Sequence, residues 1–150
     1  MEEKLSIINT TKGKLPNLPF LPLKNDILGN NYSLSIAFVK EKESKIINKK
    51  YRGKNKPTNI LSFALRKNLG EIILCPQIIK LDAKKFAKTF DQFFEFLVIH
   101  GMLHLKGLEH SSTMEELEEK YDQKYFSGHR CGIFHNKSCG RRILERIKKS

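Results

Sequence analysis

The sequence predicts an α+β (α/β-like) fold in which helices cover a mixed β-sheet. Short β-prone runs alternate with helical patterns, the runs at residues 5–10, 34–39, 59–65 and 71–75 and the helical patterns at 43–51, 89–105 and 113–125. This order of elements is typical of a sheet covered by helices. The 150 residues fit one compact domain, so we expect a single domain over 1–150 with a basic C-terminal extension from about residue 126.

The N-terminal third holds one proline-rich connection and one helical pattern. Three prolines within residues 15–23 argue against a regular helix there and favour a wrapped connection. Residues 43–51 suit a helix that buries Ile46 and Ile47 and exposes Lys45, Lys49 and Lys50. Further along, the strands at 59–65 and 71–75 are predicted to form a hairpin, with Cys75 as a core thiol.

The longest helical pattern, Thr89 to about Leu105, is predicted to be a central buried helix. Thr89 and Gln92 have the spacing of a capping box, and the residues that follow are apolar nearly all round. Gly107 is well placed to end this helix with a positive φ. An acidic, amphipathic helix is predicted to follow from Thr113 to Tyr125.

The charge balance favours a polyanionic partner. The chain has 28 Lys and Arg against 16 Asp and Glu, a formal net charge of +12. Nucleic acid is the commonest partner of so basic a domain, an anionic membrane surface is the next, and a surface kept basic for solubility is the alternative. No apolar run approaches the ~20 residues of a membrane span, the N-terminus does not resemble a signal peptide, and three cysteines do not make a disulfide framework. We therefore expect a cytoplasmic protein.

Three histidines form a candidate metal site. His100 and His104 lie one helical turn apart on one face, and the turn at Gly107 can return His110 toward them. Three neutral imidazoles suit one zinc ion and leave its fourth position for water, as in catalytic zinc sites. The alternatives are hydrogen-bonded core histidines or a surface metal patch.

The same spacing, His-x3-His-x2-Gly-x2-His, occurs in the metzincin peptidases. Those enzymes carry a glutamate directly after the first histidine, and it serves as the general base. Here that position is Gly101, so peptide hydrolysis is disfavoured.

Three blocks of sequence carry a resemblance to a known family. Residues 100–110, HGMLHLKGLEH, resemble the signature of the YbeY family of endoribonucleases. Residues 51–63, YRGKNKPTNILSF, are similar to its second conserved block, and residues 69–76, LGEIILCP, to its third. The order of the blocks is also the family's, over roughly residues 48–112.

The resemblance implies a single-strand-directed, metal-dependent endoribonuclease that acts in ribosomal RNA maturation, particularly at the 3′ end of the small-subunit RNA, and in ribosome quality control. It also implies a mixed four-stranded sheet with helices around a three-histidine zinc site. His100, His104 and His110 would bind one zinc ion, and zinc-activated water would attack the phosphodiester. Arg52 would be the family's functional arginine, pairing with phosphoryl oxygens as negative charge builds on them.

Three acidic positions depart from the family's pattern. Glu109 and Glu71 stand where the family usually has aspartate, and Asn59 replaces the aspartate that follows Thr58. Glu109 is a candidate catalytic residue, which would orient an imidazole or accept a proton, with plain solvent exposure as the alternative.

Lysines near Arg52 are candidate contacts to the RNA backbone. Such contacts depend on salt and carry no sequence information. Individually, each lysine is better explained as an ordinary surface charge, and it is the density of the cluster that indicates an RNA-binding patch. The cluster comprises Lys45, Lys49, Lys50, Lys54 and Lys56.

Two alternatives remain for the metal chemistry. Cys131, His135 and Cys139 are zinc-type side chains, but on a helix their spacing cannot enclose one ion, so we expect no second metal site. The alternative to a nuclease is a non-catalytic, RNA-binding ribosome-assembly factor with a structural zinc. A structural site needs a fourth protein ligand, and the sequence offers only Glu109 or the distant cysteines, which favours catalysis. We expect no small-molecule cofactor.

Overall fold

The computed structural model describes residues 4–109 and 111–126, and the fold is built from four strands and five helices within those ranges. The predicted α+β class with a mixed four-stranded sheet is confirmed. In chain order the elements are β1 (Leu5–Asn9), α1 (Phe20–Ile27), β2 (Ser33–Phe38), α2 (Glu41–Arg52), β3 (Ile60–Arg66), β4 (Leu69–Leu74), α3 (Pro76–Lys85), α4 (Phe90–Leu105) and α5 (Ser112–Phe126).

The sheet has the strand order β1-β2-β4-β3. Strands β1, β2 and β4 are parallel, whereas β3 runs antiparallel to β4 and forms one edge. The predicted hairpin between β3 and β4 is confirmed. Because side chains alternate along a strand, β3 and β4 present one set of residues to α4 and the other set to the face on which Ile47 of α2 packs.

Helix α4 lies buried against the sheet, as predicted. The Thr89 hydroxyl accepts a hydrogen bond from the Gln92 backbone N–H, and the Gln92 side chain accepts one from the Thr89 N–H. Both halves of the capping box are therefore present. Gly107, with φ of 102°, ends the helix in the left-handed conformation that the sequence indicated. Helix α5 packs across α4 and brings its inward-facing residues next to the histidine motif.

The prediction that prolines exclude a helix from residues 15–23 is wrong. Helix α1 begins at Phe20 and contains Pro22 in its first turn. Proline is tolerated at that point because the first N–H groups of a helix have no intrahelical acceptor.

The predicted burial of Ile46 in α2 is also wrong, since its side chain is 59% exposed and Ile47 is only half-buried. The inward face of α2 is instead polar, with Ser44 and Asn48 fully buried. Both side chains bond to the loop that follows the helix, so their burial positions that loop. The prediction for the lysines of α2 is confirmed, because Lys45, Lys49 and Lys50 are exposed.

Helix α3 was not predicted. It begins directly after the buried Cys75 with Pro76 in its first turn, a position that proline favours. Within the two described ranges, none of the helices is long and apolar enough to cross a membrane.

Gly70 of β4 lies where a side chain would collide with its neighbours. A Cβ atom at this position would clash with the Tyr32 hydroxyl and lie 3.1 Å from both terminal methyl groups of Leu105. Glycine in a strand normally costs about 0.5–1 kcal/mol relative to alanine. Replacing the glycine would recover that cost, but the clash of the new methyl group costs more. We therefore expect Gly70→Ala to lower the free energy of unfolding by about 1–3 kcal/mol, measured by urea denaturation.

The Tyr32→Phe substitution is the matched control. The Tyr32 hydroxyl is buried and has no hydrogen-bond partner among the described residues, so its removal alone should be close to neutral. In the double variant, Gly70→Ala with Tyr32→Phe, the new methyl group no longer meets the hydroxyl. Much of the lost stability should therefore return. Equal losses in Gly70→Ala and in the double variant would contradict this explanation.

Candidate metal centre and basic loop

His100 and His104 converge as their spacing predicts. Their Nε2 atoms lie 3.0 Å apart, and the two rings are nearly perpendicular at 88°. His100 is only 2% exposed, whereas His104 is half-buried. The same ring atom of each imidazole therefore points at one place on the flank of α4.

The turn at Gly107 orients His104. This turn returns the chain so that the Leu108 N–H donates to the Leu103 carbonyl and the Leu108 carbonyl faces His104 Nδ1 at 3.0 Å. Because a carbonyl only accepts, Nδ1 must carry the proton. In the neutral ring the lone pair of His104 is then on Nε2, the atom that faces His100.

His100 is held between an aromatic ring and a carboxyl group. Phe96 stacks on its imidazole with ring centroids 5.5 Å apart. On the other side, Glu118 Oε2 of α5 lies 3.7 Å from His100 Nδ1. A carboxylate behind a ligating imidazole is a common arrangement in metal sites, where it fixes ring orientation and raises ligand basicity.

Glu118 is a functional candidate that the sequence analysis missed. It lies on the predicted acidic helix, and its side chain is only 5% exposed. It shares the inward face of α5 with Met114 and Tyr121, four residues before it and three after it. A carboxyl group within an otherwise apolar stripe was the signal available in the sequence.

Burial sets the protonation of the site. It lowers the pKa of His100 to about 4, and it also lowers the pKa of His104, with His100 contributing in the same direction. Burial, followed by the charge of Glu115, raises the pKa of Glu118 to about 8. Both imidazoles are therefore neutral at neutral pH, which is the form that binds metals.

The histidine pair fits a zinc ion. Two nitrogens that bind a tetrahedral zinc at about 2.0–2.1 Å lie about 3.3 Å from each other, close to the observed 3.0 Å. Across residues 4–109 and 111–126, no group of three or more His, Cys, Asp or Glu side chains is placed to hold a metal. The predicted third ligand, His110, lies outside the described residues and stays a prediction.

Arg52 ends α2 and begins the basic loop, which we define as residues 52–58. Gly53 follows with φ of 69° and terminates the helix. Ser44 Oγ donates to the Thr58 carbonyl at 2.9 Å and accepts from the Thr58 N–H at 3.0 Å, while Asn48 Nδ2 donates to the Lys56 carbonyl at 2.7 Å. The buried polar face of α2 thus fixes the far end of the loop.

The structure brings three of the predicted RNA contacts close together. Partial burial and the nearby charges of Arg52 and Lys56 lower the pKa of Lys54. Lys49 and Lys50 are exposed on the preceding helix. These five residues form the basic cluster (Lys49, Lys50, Arg52, Lys54 and Lys56).

Two of the three acidic departures, Glu109 and Asn59, act on neighbouring polar groups. Glu109 is exposed, and its charge acts to raise the pKa of His104, against the larger effects of burial and of His100. Asn59 is buried, and its amide donates to Asp82 Oδ2 at 2.9 Å. An amide suits that position because it supplies the proton that Asp82 accepts, so Asn59 has a structural role. Cys131, His135 and Cys139 lie outside the described residues.

Comparisons with known proteins show which family this chain is similar to. The model of the family described as "Endoribonuclease YbeY" matches residues 18–126. The Endoribonuclease YbeY of Buchnera aphidicola subsp. Schizaphis graminum is 41% identical over 111 residues, which are 62% of this chain and 70% of that protein. That of Francisella philomiragia is 31% identical over 130 residues, which are 76% of this chain and 82% of the relative.

A solved structure agrees with these relatives. The solution structure of TM1509 from Thermotoga maritima has a TM-score of 0.61 and 30% sequence identity, and the match covers 88% of this chain and 95% of that one. Fold and site define an α+β protein that carries a pair of neutral imidazoles suited to a metal on its buried helix. The chain belongs to the endoribonuclease YbeY family.

Proposed function

We propose that this protein is a cytoplasmic, single-strand-directed, metal-dependent endoribonuclease. Its substrates would be ribosomal RNA precursors, including the 3′ end of the small-subunit RNA, and it would contribute to ribosome quality control. The observation that carries the proposal is the convergence of two neutral imidazoles on one point, in a chain of net charge +12. Membership of a family whose relatives are named endoribonucleases supports the same reaction.

In this proposal His100, His104 and His110 hold one zinc ion. Bound there, zinc supplies a Lewis acid and lowers the pKa of water to about 7. The Leu108 carbonyl orients the imidazole of His104, and Glu118 orients the imidazole of His100.

The remaining roles in this proposal fall to charged residues of the basic loop and of the histidine motif. Arg52 pairs with phosphoryl oxygens as negative charge builds on them, and the lysines of the basic cluster hold the RNA backbone. Glu109 is the candidate proton acceptor.

Gly101 explains why the peptidase reaction is not proposed. A Cβ at this position would lie 2.8 Å from Ile60 Cδ1 and 3.1 Å from Ser62 Oγ. The residue that follows the first histidine therefore faces the sheet, with no room for a glutamate side chain.

The test is cleavage of an end-labelled single-stranded RNA by the full-length protein. We expect cutting that is lost on chelation and restored by stoichiometric zinc, with the same sequence cut poorly as a duplex. Cutting that persists after chelation would contradict the metal-dependent reaction. RNA binding without cutting at any zinc concentration would favour the non-catalytic assembly factor.

The basic cluster predicts a salt-dependent affinity. Removing a phosphate contact lowers the slope of log affinity against log salt by about 1, and we expect that change in Lys54→Ala and again in Lys56→Ala. Lys84→Ala is the matched control, because Lys84 is exposed on α3 and lies outside the basic cluster. Titrations of single-stranded RNA at several salt concentrations measure the slopes. Equal slopes in all three variants would exclude these lysines as backbone contacts.

A further inference from the structure

A groove on the α2 side of the sheet lies apart from the proposed metal centre. It has a volume of about 220 Å³ and opens between α2, β3 and β4. Its lining is mainly apolar, with one carboxylate, and consists of Ile47, Tyr51, Phe63, Leu65, Glu71 and Ile73.

The register of the sheet places this groove on the face opposite α4. Gly101 of α4 packs on Ser62 and Ile72, so the alternate residues of β3 and β4 point to the other face. Phe63 and Glu71 are directly paired across the two strands, which puts their side chains next to each other. The carboxylate thus lies at the side of an aromatic ring.

Large apolar side chains are exposed around the groove. Tyr51 is 60% exposed and Leu65 is 55% exposed, although both belong to regular elements. The Tyr51 and Phe63 rings are 5.0 Å apart at an angle of 57°. Apolar groups left in solvent together in this way mark a binding surface rather than a part of the core.

Positive charge borders the exposed ring. Lys50 Nζ lies 5.3 Å from the centre of the Tyr51 ring, and Arg52 follows Tyr51 directly in the chain. Aromatic rings interleaved with cations are the arrangement with which proteins hold single-stranded nucleic acid, stacking the bases and tracking the phosphates. A second copy of this chain fits poorly, because each copy would bring a net charge of +12 to the contact.

We propose that this groove binds one unstacked base of a single-stranded RNA, stacked on Tyr51. The identity of the partner rests on the proposed function. Glu71 accepts a hydrogen bond from an exocyclic amino group of the base, so adenine, cytosine and guanine bind in preference to uracil. The volume is below the roughly 300–1,000 Å³ of clefts that take drug-sized molecules, which suits a single ring system.

The experiment measures equilibrium binding of labelled single strands to the zinc-loaded, full-length protein, by fluorescence anisotropy with the RNA checked for integrity. We expect Tyr51→Ala to weaken binding about tenfold, whereas Tyr51→Phe keeps the ring and stays within about twofold. Ile46→Ala is the matched control, since Ile46 is as exposed on the same helix but does not line the groove. Glu71→Gln should reduce the preference for adenine over uracil.

Two further readouts separate stacking from charge. Stacking involves no phosphate, so Tyr51→Ala should leave the salt slope unchanged and should not weaken duplex binding. Single-strand binding by Tyr51→Ala equal to that of the unsubstituted protein would overturn the proposal and leave a protein segment as the occupant. Equal weakening on single strand and duplex would overturn it too.

The binding test is independent of cutting. Tyr51-dependent binding by a protein that does not cleave RNA would refute the proposed nuclease and keep the groove. Cleavage by a protein whose binding does not depend on Tyr51 would refute the proposed role of the groove and keep the proposed nuclease.

Discussion

Replacement of His104 by alanine is expected to lower zinc affinity at least about a hundredfold and to reduce RNA cleavage to background at stoichiometric zinc. Four-ligand zinc sites bind with about 10–16 kcal/mol, so one ligand carries about 3 kcal/mol. His104 Nε2 faces His100 Nε2 at 3.0 Å, and a methyl group cannot replace it. Competition with a chromophoric chelator measures the affinity, and an end-labelled single strand measures the cutting.

Lys106→Ala controls for changes at the end of α4. Lys106 is exposed and caps the same helix, so its loss should leave both readouts unchanged. Thermal melting shows whether His104→Ala still folds. A folded His104→Ala protein that cleaves RNA as fast as the unsubstituted protein would mean that the activity does not use this site.

The second large effect is expected at Glu118. Loss of the carboxylate behind a ligating imidazole typically costs 10–100-fold in metal affinity. We expect Glu118→Leu, which removes the buried carboxyl group altogether, to fall in the upper part of that range. Glu118→Gln keeps an oxygen near His100 Nδ1 and should fall in the lower part.

A matched substitution on the same helix isolates this role. Glu119→Gln makes the same substitution as Glu118→Gln at an exposed neighbour, and zinc affinity should not change. Nitrogen chemical shifts of His100 supply a readout that packing alone would not move. We expect the shift of His100 Nδ1 to change in Glu118→Leu and to stay the same in Glu119→Gln. Unchanged nitrogen shifts and an unchanged zinc affinity in Glu118→Leu would assign Glu118 to packing only.

Local signals were sufficient for the buried helix and its histidines. The capping box at Thr89, the apolar sequence and Gly107 act within a few residues of each other, so their effects can be read directly. Helical periodicity then requires His100 and His104 to share a face. The proline-rich segment misled because the effect of Pro22 depends on its place in the first turn, and the start of α1 is not marked by a side-chain cap.

Features that depend on tertiary packing could not be predicted. Ser44 and Asn48 are buried because their acceptors lie in the basic loop, beyond the end of their helix. Glu118 reaches His100 only because α5 packs across α4. Tyr51 meets Phe63 only after β3 pairs with β4 under α2. In each case the partner residue is distant in sequence, so the local sequence pattern does not identify it.

X-ray absorption at the zinc edge of the zinc-loaded, full-length protein tests most directly whether the histidines form an open metal site. We expect a first shell of nitrogen and oxygen atoms only, at about 2.0–2.2 Å, from three imidazoles and one exchangeable ligand. A sulfur neighbour at about 2.3 Å would contradict this, because Cys131 or Cys139 would then close the site as a structural one.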